Sequence, residues 1–422
     1  MIIKNSILKN KYYIILLIIL FTSVDTILFG TNGNRTMNYL PRFMALVGII
    51  FLMSRYIKRD TALIACITMV LISSVSNFIY DSDLATLITR VLFIILAYLL
   101  AEKFTINNYF KVYDFFMYFV SIFALLMEFI VFIFPNVVRN FFVIVNTSGT
   151  QFYSLGFASI LSNFVGTGLP IRASGIFWEP GAFAVYLVIA LMGQLYVFKS
   201  INIKHVVLYL ISLLLTFSTT GIFAGAMLIF TYTFSGKNNN KNNYLIRCIT
   251  IILIILIIVL ILFGENTMLY NTIFGKIING DSTAKTRYAS FLVPFAILLD
   301  YPLLGVSGGN ISELMRPYTY RFGNLLQASN MCTNTLSYQF GAYGLLFGLL
   351  FVIGTIKFCK KISCEKKLLR LAYFLHFSLH ILEKTFFHFF HIYLFFSDLK
   401  KMKFDLGGVH FENCRYKFIR IW

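Results

Sequence analysis

The sequence has few charged residues, and acidic residues are the scarcest of them. Only 13% of the 422 residues are charged, with 17 Asp or Glu against 36 Lys or Arg, while 59% are hydrophobic and the mean hydropathy is +0.79. Soluble domains carry about 25% charged residues, so this balance excludes an ordinary soluble protein. We expect an integral membrane protein.

Cysteine is also scarce. The six cysteines form no CxxC pair and show no metal-ligand spacing. Their spacing therefore predicts neither a disulfide framework nor a zinc site. No small-residue cleavage site follows the N-terminal run "MIIKNSILKNKYYIILLIIL". The first apolar segment is therefore expected to be an uncleaved helix rather than a signal peptide.

Apolar runs recur along the whole chain, with the length that a helix needs to cross a hydrocarbon core about 30 Å thick. They predict an all-α polytopic membrane protein with one membrane domain over residues 1–397 and a basic tail over residues 398–422. The eleven predicted spans lie near residues 12–29, 38–56, 61–80, 84–101, 112–135, 176–198, 203–217, 218–235, 244–263, 338–356 and 371–397.

The basic residues give a formal net charge of +19, but they lie in short loops between apolar runs rather than in a stripe. This is the positive-inside pattern, and it places the N-terminus in the cytoplasm. Basic loops also contact anionic lipid headgroups, so the charge indicates topology and a lipid partner rather than nucleic acid.

The stretch 203–235 is too long for one span and short for two, and "TFSTTG" interrupts it. We expect a tight helical hairpin that turns on Gly221. The alternative is one tilted, broken helix, which would invert the side of every later loop. The hydroxyls of "FSTTG" are suited to bind a sugar, but Ser and Thr more often satisfy a broken helix backbone.

Two predicted outside loops, 136–175 and 264–337, are longer than connections need to be and carry arginines. Long loops in compact proteins are usually functional. In "RASGIFWEPGAFAVYL", Pro180 indicates a helix start, which places Glu179 at a helix N-terminus that favours anions. Arg172 precedes it in the loop.

Two interpretations of Arg172 and Glu179 have equal weight on these residues alone. Arg172 either snorkels to lipid phosphates beside an ordinary helix-start acid, or the pair marks an active site. Arg287 of the second loop favours the active site, because each loop then brings a cation toward a glycine-rich turn, as a diphosphate or an acidic glycan requires. Within the spans, Arg90 and Asp114 are expected to snorkel or to pair structurally.

Three stretches carry a resemblance to a known family: "RASGIFWEPGAFAVYL", "LLLTFSTTGIFAGA" and "TRYASFLVPFAILLDYPLLGVSGGN". In this order and on this side of the membrane, they resemble the bacterial O-antigen polymerases, the Wzy-like oligosaccharide repeat unit polymerases, over roughly residues 170–350. The resemblance implies a GT-C-like glycosyltransferase of the bacterial inner membrane that acts on polyisoprenyl-diphosphate-linked glycans at the periplasmic face. It implies no metal and no cofactor, with a flippase and a chain-length regulator as partners.

The resemblance also assigns roles. Arg172 and Arg287 match the family arginines that bind the donor diphosphate, and Glu179 is the leading general base, with Asp281 and Glu313 as the other candidates. The substrate-binding residues expected around them are Arg316, Arg321, Gly305, Gly308 and Asp281. An O-antigen ligase is the nearest alternative, although its typical loop histidine is missing from residues 264–337. A flippase is the alternative from another class, but flippases normally have short loops and charges spread along their helices.

The C-terminal region does not fit this topology. The histidine-rich eleventh span would place the six Lys and Arg residues of the tail outside, against the positive-inside rule. One hypothesis explains both the histidine-rich last span and the basic tail: the gene carries a frameshift before the histidine run, so that the residues after about 374 are not native. The alternative is a native basic tail.

Overall fold

The structure is a computed structural model that describes residues 11–23, 26–29, 35–58, 60–146, 149–162, 165, 171–234, 282–326, 332 and 334–362. Its helices and strands are α1 (Lys11–Ser23), α2 (Arg35–Met53), a 3-10 turn (Ser54–Tyr56), α3 (Thr61–Ile79), α4 (Leu84–Lys103), α5 (Ile106–Ile133), α6 (Pro135–Val138), β1 (Phe142–Val145), β2 (Gln151–Ser154), β3 (Ser159–Leu161), α7 (Pro180–Met192) with a π-helical turn (Gly193–Val197), α8 (Ile203–Leu215), α9 (Thr219–Phe234), α10 (Ser282–Asp300), α11 (Ile311–Thr319), a 3-10 helix (Tyr320–Leu325) and α12 (Thr335–Ile362).

The described chain is mostly helical, and several of its helices have the length and the apolar composition of membrane spans. Five of its helices are long and apolar enough to cross a membrane: α3, α4, α5, α7 with its π-helical turn, and α12 from Leu336 to Lys357. Shorter apolar helices are found in α1, α8, α9 and the stretch Phe43–Tyr56. Each of these helices overlaps a predicted span. The predicted spans 244–263 and 371–397 and the tail lie outside the described residues, so the number of eleven stays a prediction.

Polar side chains at the helix starts explain where several of these helices begin. Asp60 accepts a hydrogen bond from the Leu63 backbone N–H at the start of α3, and Thr105 accepts one from Asn108 at the start of α5. Each bond satisfies one of the backbone donors that a helix leaves unpaired in its first turn. Helix α7 begins differently, with Pro180 at its first position, where the missing N–H costs nothing.

Helix α7 lies at the centre of the helices that carry the candidate site. It packs against α5, α8 and α9, and every residue from Ala182 to Met192 is buried. Small residues allow these close approaches: a Cβ atom on Gly221 of α9 would lie 2.5 Å from the Cβ of Ala184. Helix α7, which begins directly after Glu179, is therefore packed against three neighbouring helices.

The stretch 203–235 forms two helices that pack on each other, but the predicted turn position is wrong. Helix α8 ends at Leu215 and α9 begins at Thr219, so the chain turns at residues 216–218. Phe217 takes a left-handed backbone conformation there, with φ at 46°. Gly221 lies inside α9, where it is needed for close packing on α7 rather than for a turn.

Strands β1, β2 and β3 form a three-stranded antiparallel sheet in the order β1-β2-β3, which the all-α prediction did not include. Phe142 pairs with Ser154, and Phe152 pairs with Leu161. The Ser159 backbone N–H donates a hydrogen bond to the Gly175 carbonyl at 2.7 Å. The sheet thus holds the segment that carries Arg172 in place ahead of α7.

Asp114 joins the opposite end of α7 to its neighbours. Its carboxylate accepts hydrogen bonds from Gln194 Nε2 at 2.6 Å and from the Tyr209 hydroxyl at 2.8 Å, and it lies 2.8 Å from His205 Nδ1. These partners come from the π-helical turn and from α8. The network agrees with the expectation that Asp114 pairs structurally.

Arg90 of α4 is also buried and paired. Its Nη2 donates a hydrogen bond to Gln339 Oε1 of α12, and its guanidinium carbon lies 4.7 Å from the centre of the Tyr343 ring. A buried guanidinium is well suited to contact an aromatic face in this way. Arg90 therefore links α4 to α12 instead of snorkelling.

Candidate functional site

Arg172 lies in the extended segment before α7 and is held at the C-terminal end of α8. Its Nε donates a hydrogen bond to the Thr216 carbonyl at 3.0 Å, and its Nη2 donates one to the Phe217 carbonyl at 3.4 Å. Carbonyls at a helix C-terminus have no partner within the helix and attract cations. The Ala173 backbone N–H also bonds to the Leu215 carbonyl at 2.9 Å, so both main chain and side chain fix this arginine.

Residues 216–220, which comprise the three residues between α8 and α9 and the first two residues of α9, are called the α8–α9 turn below. Its hydroxyls stabilise its own backbone: Thr216 Oγ1 donates to the Leu213 carbonyl at 2.7 Å, and Ser218 Oγ accepts from the Gly221 N–H at 3.3 Å. For Ser218 of "FSTTG", the expectation that hydroxyls satisfy a broken helix backbone is therefore confirmed, and Thr216, just before that stretch, makes the same kind of bond.

Arg287 reaches the same turn from another part of the chain. It lies near the start of α10, its side chain is exposed, and its Nη1 donates a hydrogen bond to Thr220 Oγ1 at 2.9 Å. The structure therefore brings Arg172 and Arg287 together on one short turn. The sequence suggested that the two loops face one another, but it gave no indication that Thr220 connects them.

Glu179 is the N-cap residue of α7, as the position of Pro180 predicted. Its backbone is extended, with φ at −152° and ψ at 152°, and its side chain makes no capping hydrogen bond. The side chain is exposed and bends toward Gly181, where an added Cβ would lie 3.2 Å from Glu179 Oε1. Glycine at this position leaves room for the carboxylate beside the helix N-terminus.

The three predicted catalytic residues lie close enough for their charges to interact. Burial lowers the pKa of the Arg172 guanidinium, the nearby carboxylate of Glu179 raises it, and the charge of Arg287 lowers it again. Two cations and one carboxylate leave a surplus of one positive charge. Such a site favours an anionic ligand and places a potential proton acceptor next to it.

The glycine-rich turn after α10 packs against α12. Gly305 has a φ of 63°, and a Cβ atom there would lie 2.5 Å from the Gly341 carbonyl oxygen and from the Tyr343 nitrogen. The Val306 N–H bonds to the Gly341 carbonyl at 3.1 Å, and the Ser307 N–H bonds to the Ala342 carbonyl at 2.8 Å. The position of Gly305 is explained by this backbone contact, and its predicted role in substrate binding stays a prediction.

Gly308 is in a similar position. Its carbonyl accepts a hydrogen bond from the Tyr338 hydroxyl at 3.0 Å, and an added Cβ would lie 2.8 Å from that hydroxyl oxygen. Tyr343 lies beside it, under the guanidinium of Arg90. The turn that was expected to bind substrate is therefore also the contact between α12 and the end of α10.

The remaining predicted residues lie on or around α11. Arg321 Nη1 lies 2.8 Å from Asp300 Oδ2 in an exposed ion pair, and its guanidinium carbon lies 3.9 Å from the centre of the Tyr318 ring. Arg316 and Glu313 are exposed on α11. Asp281 lies outside the described residues. The described contacts do not connect Arg321 with Arg172 or Arg287.

The Asp300 pair gives a testable pH dependence. Hydrogen bonds from Tyr318 and Arg321 hold the pKa of Asp300 below its usual value. A depressed folded-state pKa contributes stability above the unfolded pKa of about 4, and this stability is lost as the pH falls through the folded value. We expect Asp300→Asn to lower the thermal unfolding midpoint at pH 7. The difference from the parent should vanish on acidification, and a constant difference at every pH would refute the pairing.

The described chain defines a class: a mostly helical protein with five helices long and apolar enough to cross a membrane, and with a cationic site beside the ends of several helices. No protein-family model, curated protein or solved structure matches the chain. Within the part of the chain that the structure describes, no group of three or more His, Cys, Asp or Glu side chains is placed to hold a metal ion. The proposed activity therefore rests on the site residues and on the resemblance of the sequence.

Proposed function

We propose that this protein polymerises lipid-linked oligosaccharide repeat units of an O-antigen, capsular or exopolysaccharide type. It transfers the growing glycan from polyisoprenyl diphosphate to the next lipid-linked repeat at the periplasmic face of the inner membrane. One observation carries the proposal: Arg172 and Arg287, selected from separate loops, contact the same α8–α9 turn. A diphosphate carries two phosphoryl groups, which two adjacent guanidinium groups are suited to bind.

The chemistry assigns a role to each charged residue. The bond between the anomeric carbon and the diphosphate oxygen breaks, and the electron pair leaves with the diphosphate. Arg172 and Arg287 stabilise the negative charge that develops on that oxygen. A hydroxyl at the non-reducing end of the acceptor repeat attacks the anomeric carbon, and Glu179 accepts its proton.

Glu179 is the preferred base because it is the carboxylate whose charge acts on Arg172. Glu313 is exposed on α11, and Asp281 lies outside the described residues, so they remain the alternatives from the sequence. The site also lies at the start of α7, one of the helices long and apolar enough to span a membrane. A substrate anchored by a polyisoprenyl chain would reach the site from the lipid, while its diphosphate stays at the surface. A flippase that delivers repeats and a chain-length regulator are the partners we propose.

The proposal is tested by expressing the gene in a bacterial host that lacks its own polymerase and supplies matching repeat units. We expect the parent to restore a ladder of glycan lengths on a gel and Arg287→Ala to reduce it to a single repeat. Arg139→Ala is the matched control, because Arg139 is an exposed arginine of the other predicted outside loop and contacts neither site arginine. It should leave the ladder intact.

The same gel separates the alternatives. A host that makes no surface-linked glycan of any length until the gene is supplied would indicate a ligase or a flippase. A single surface-linked repeat without the gene, which becomes a ladder with it, is the result expected of a polymerase. A ladder that persists in Arg287→Ala at equal expression would contradict the assigned site.

A further inference from the structure

Arg287 is attached to the α8–α9 turn through one side chain, Thr220, to which the proposed mechanism gives no role. We propose that Thr220 is a positioning residue: its hydroxyl holds Arg287 on the same turn that holds Arg172, and it thereby sets the spacing of the two guanidinium groups for one diphosphate. The inference rests on the proposed function, and it deepens that function by naming what aligns the two arginines.

A tether is needed because nothing else in the described contacts keeps the Arg287 side chain near Arg172. The Arg287 side chain is exposed, and an exposed arginine samples many rotamers. The two guanidinium groups also repel one another, because like charges disfavour each other at short range. Without an acceptor on the turn, Arg287 is expected to extend away from Arg172 into solvent.

Thr220 is rigidly placed for this task. It lies in the first turn of α9, which packs on both α7 and α8. Threonine is β-branched, so its χ1 angle has few choices within a helix. Four residues before it, Thr216 supplies the carbonyl that binds Arg172 Nε at 3.0 Å. The two arginine contacts are therefore fixed to one short, internally hydrogen-bonded stretch of backbone.

The test compares three single substitutions, which differ either in whether the side chain keeps a hydroxyl or in which threonine is replaced. Thr220→Val keeps the shape of the side chain and removes the hydroxyl acceptor, whereas Thr220→Ser keeps the hydroxyl. Thr219→Val is the matched control: it makes the same substitution one residue earlier, where the hydroxyl contacts neither arginine. All variants are made in the full chain and purified in detergent.

The first measurement is the binding of geranyl diphosphate, used as a short soluble probe of the lipid diphosphate. Loss of a hydrogen bond to a charged group is expected to weaken binding about ten-fold in Thr220→Val. Thr220→Ser and Thr219→Val should bind like the parent. In an Arg287→Ala background, Thr220→Val should have no further effect, because the threonine acts only through that arginine.

The second measurement does not depend on the proposed function. Phenylglyoxal modifies accessible arginines, and mass spectrometry gives the rate at Arg287. A released guanidinium should be modified several-fold faster in Thr220→Val than in the parent, and Thr220→Ser should restore the slow rate. Equal modification rates at Arg287 in the parent, Thr220→Val and Thr220→Ser would show that Thr220 does not hold Arg287.

The two measurements distinguish the possible failures. If the parent binds geranyl diphosphate and Thr220→Val binds it equally well, the tether is wrong and the diphosphate site stands. If the parent does not bind the probe, the proposed diphosphate site is wrong, and the labelling rates alone decide whether Thr220 holds Arg287.

Discussion

Replacing Arg172 with alanine is expected to lower the rate of repeat-unit polymerisation by about 100- to 1,000-fold, the usual loss when a donor that stabilises developing charge is removed. Arg172 is half-buried and is fixed by the carbonyls of Thr216 and Phe217. Its charge is therefore oriented before substrate arrives. The substitution removes both the cation and the partner of two carbonyls at the end of α8.

The chemical loss must be separated from a structural one. Alanine leaves the Thr216 and Phe217 carbonyls without their donor, at an expected cost of about 1–3 kcal/mol in the free energy of unfolding. Arg172→Lys keeps the positive charge but lacks the planar fork that reaches two carbonyls and a phosphate together. We expect it to recover part of the rate, measured with purified protein and lipid-linked repeats. A rate in Arg172→Ala that matches the parent would exclude Arg172 from the active site.

The second large effect is expected at Gly305, where alanine should lower the free energy of unfolding by about 3 kcal/mol or more. The added Cβ would meet backbone atoms of Gly341 and Tyr343 at 2.5 Å. Backbone atoms in a packed helix cannot rotate away as a flexible side chain can. Either the turn or α12 must move, and the hydrogen bonds that join them at Val306 and Ser307 would be weakened.

Gly156→Ala is the matched control. Gly156 also has a positive φ, 86°, but an added Cβ would meet nothing within 4 Å. Its substitution should cost only the backbone strain, about 1–2 kcal/mol. Denaturant or thermal unfolding in detergent compares the two variants. Equal destabilisation would show that the strain at Gly305 comes from φ alone and that the contact with α12 contributes nothing.

The helices were the most predictable part of this fold. Apolar runs of membrane-spanning length have few alternatives, so each apolar helix in the described chain overlaps a predicted span. The sequence also selects Arg172, Glu179 and Arg287 as candidates, because charges are rare in so apolar a chain, and the structure brings the two arginines to one turn. The start of α7 followed from the preference of proline for the first helical position.

The rest depends on contacts that a sequence does not display. A glycine permits close approach, but the sequence does not say which atoms approach it. The structure shows that Gly221 packs against Ala184 and that Gly305 packs against α12, and neither contact can be read from the sequence. The three strands are only three or four residues long, and no period can be read from such short segments. Thr220 was missed because a hydroxyl in an apolar stretch ordinarily satisfies its own helix.

The most direct test of the central claim uses the purified full-length chain in lipid nanodiscs with one synthetic substrate, a single repeat unit on polyisoprenyl diphosphate. Mass spectrometry then measures the lipid-linked products. We predict glycans of two and more repeats on one lipid diphosphate, with one free polyisoprenyl diphosphate released for each repeat added. Only single repeats at the end of the reaction, or free glycan released by hydrolysis, would contradict the claim that this protein is a repeat-unit polymerase.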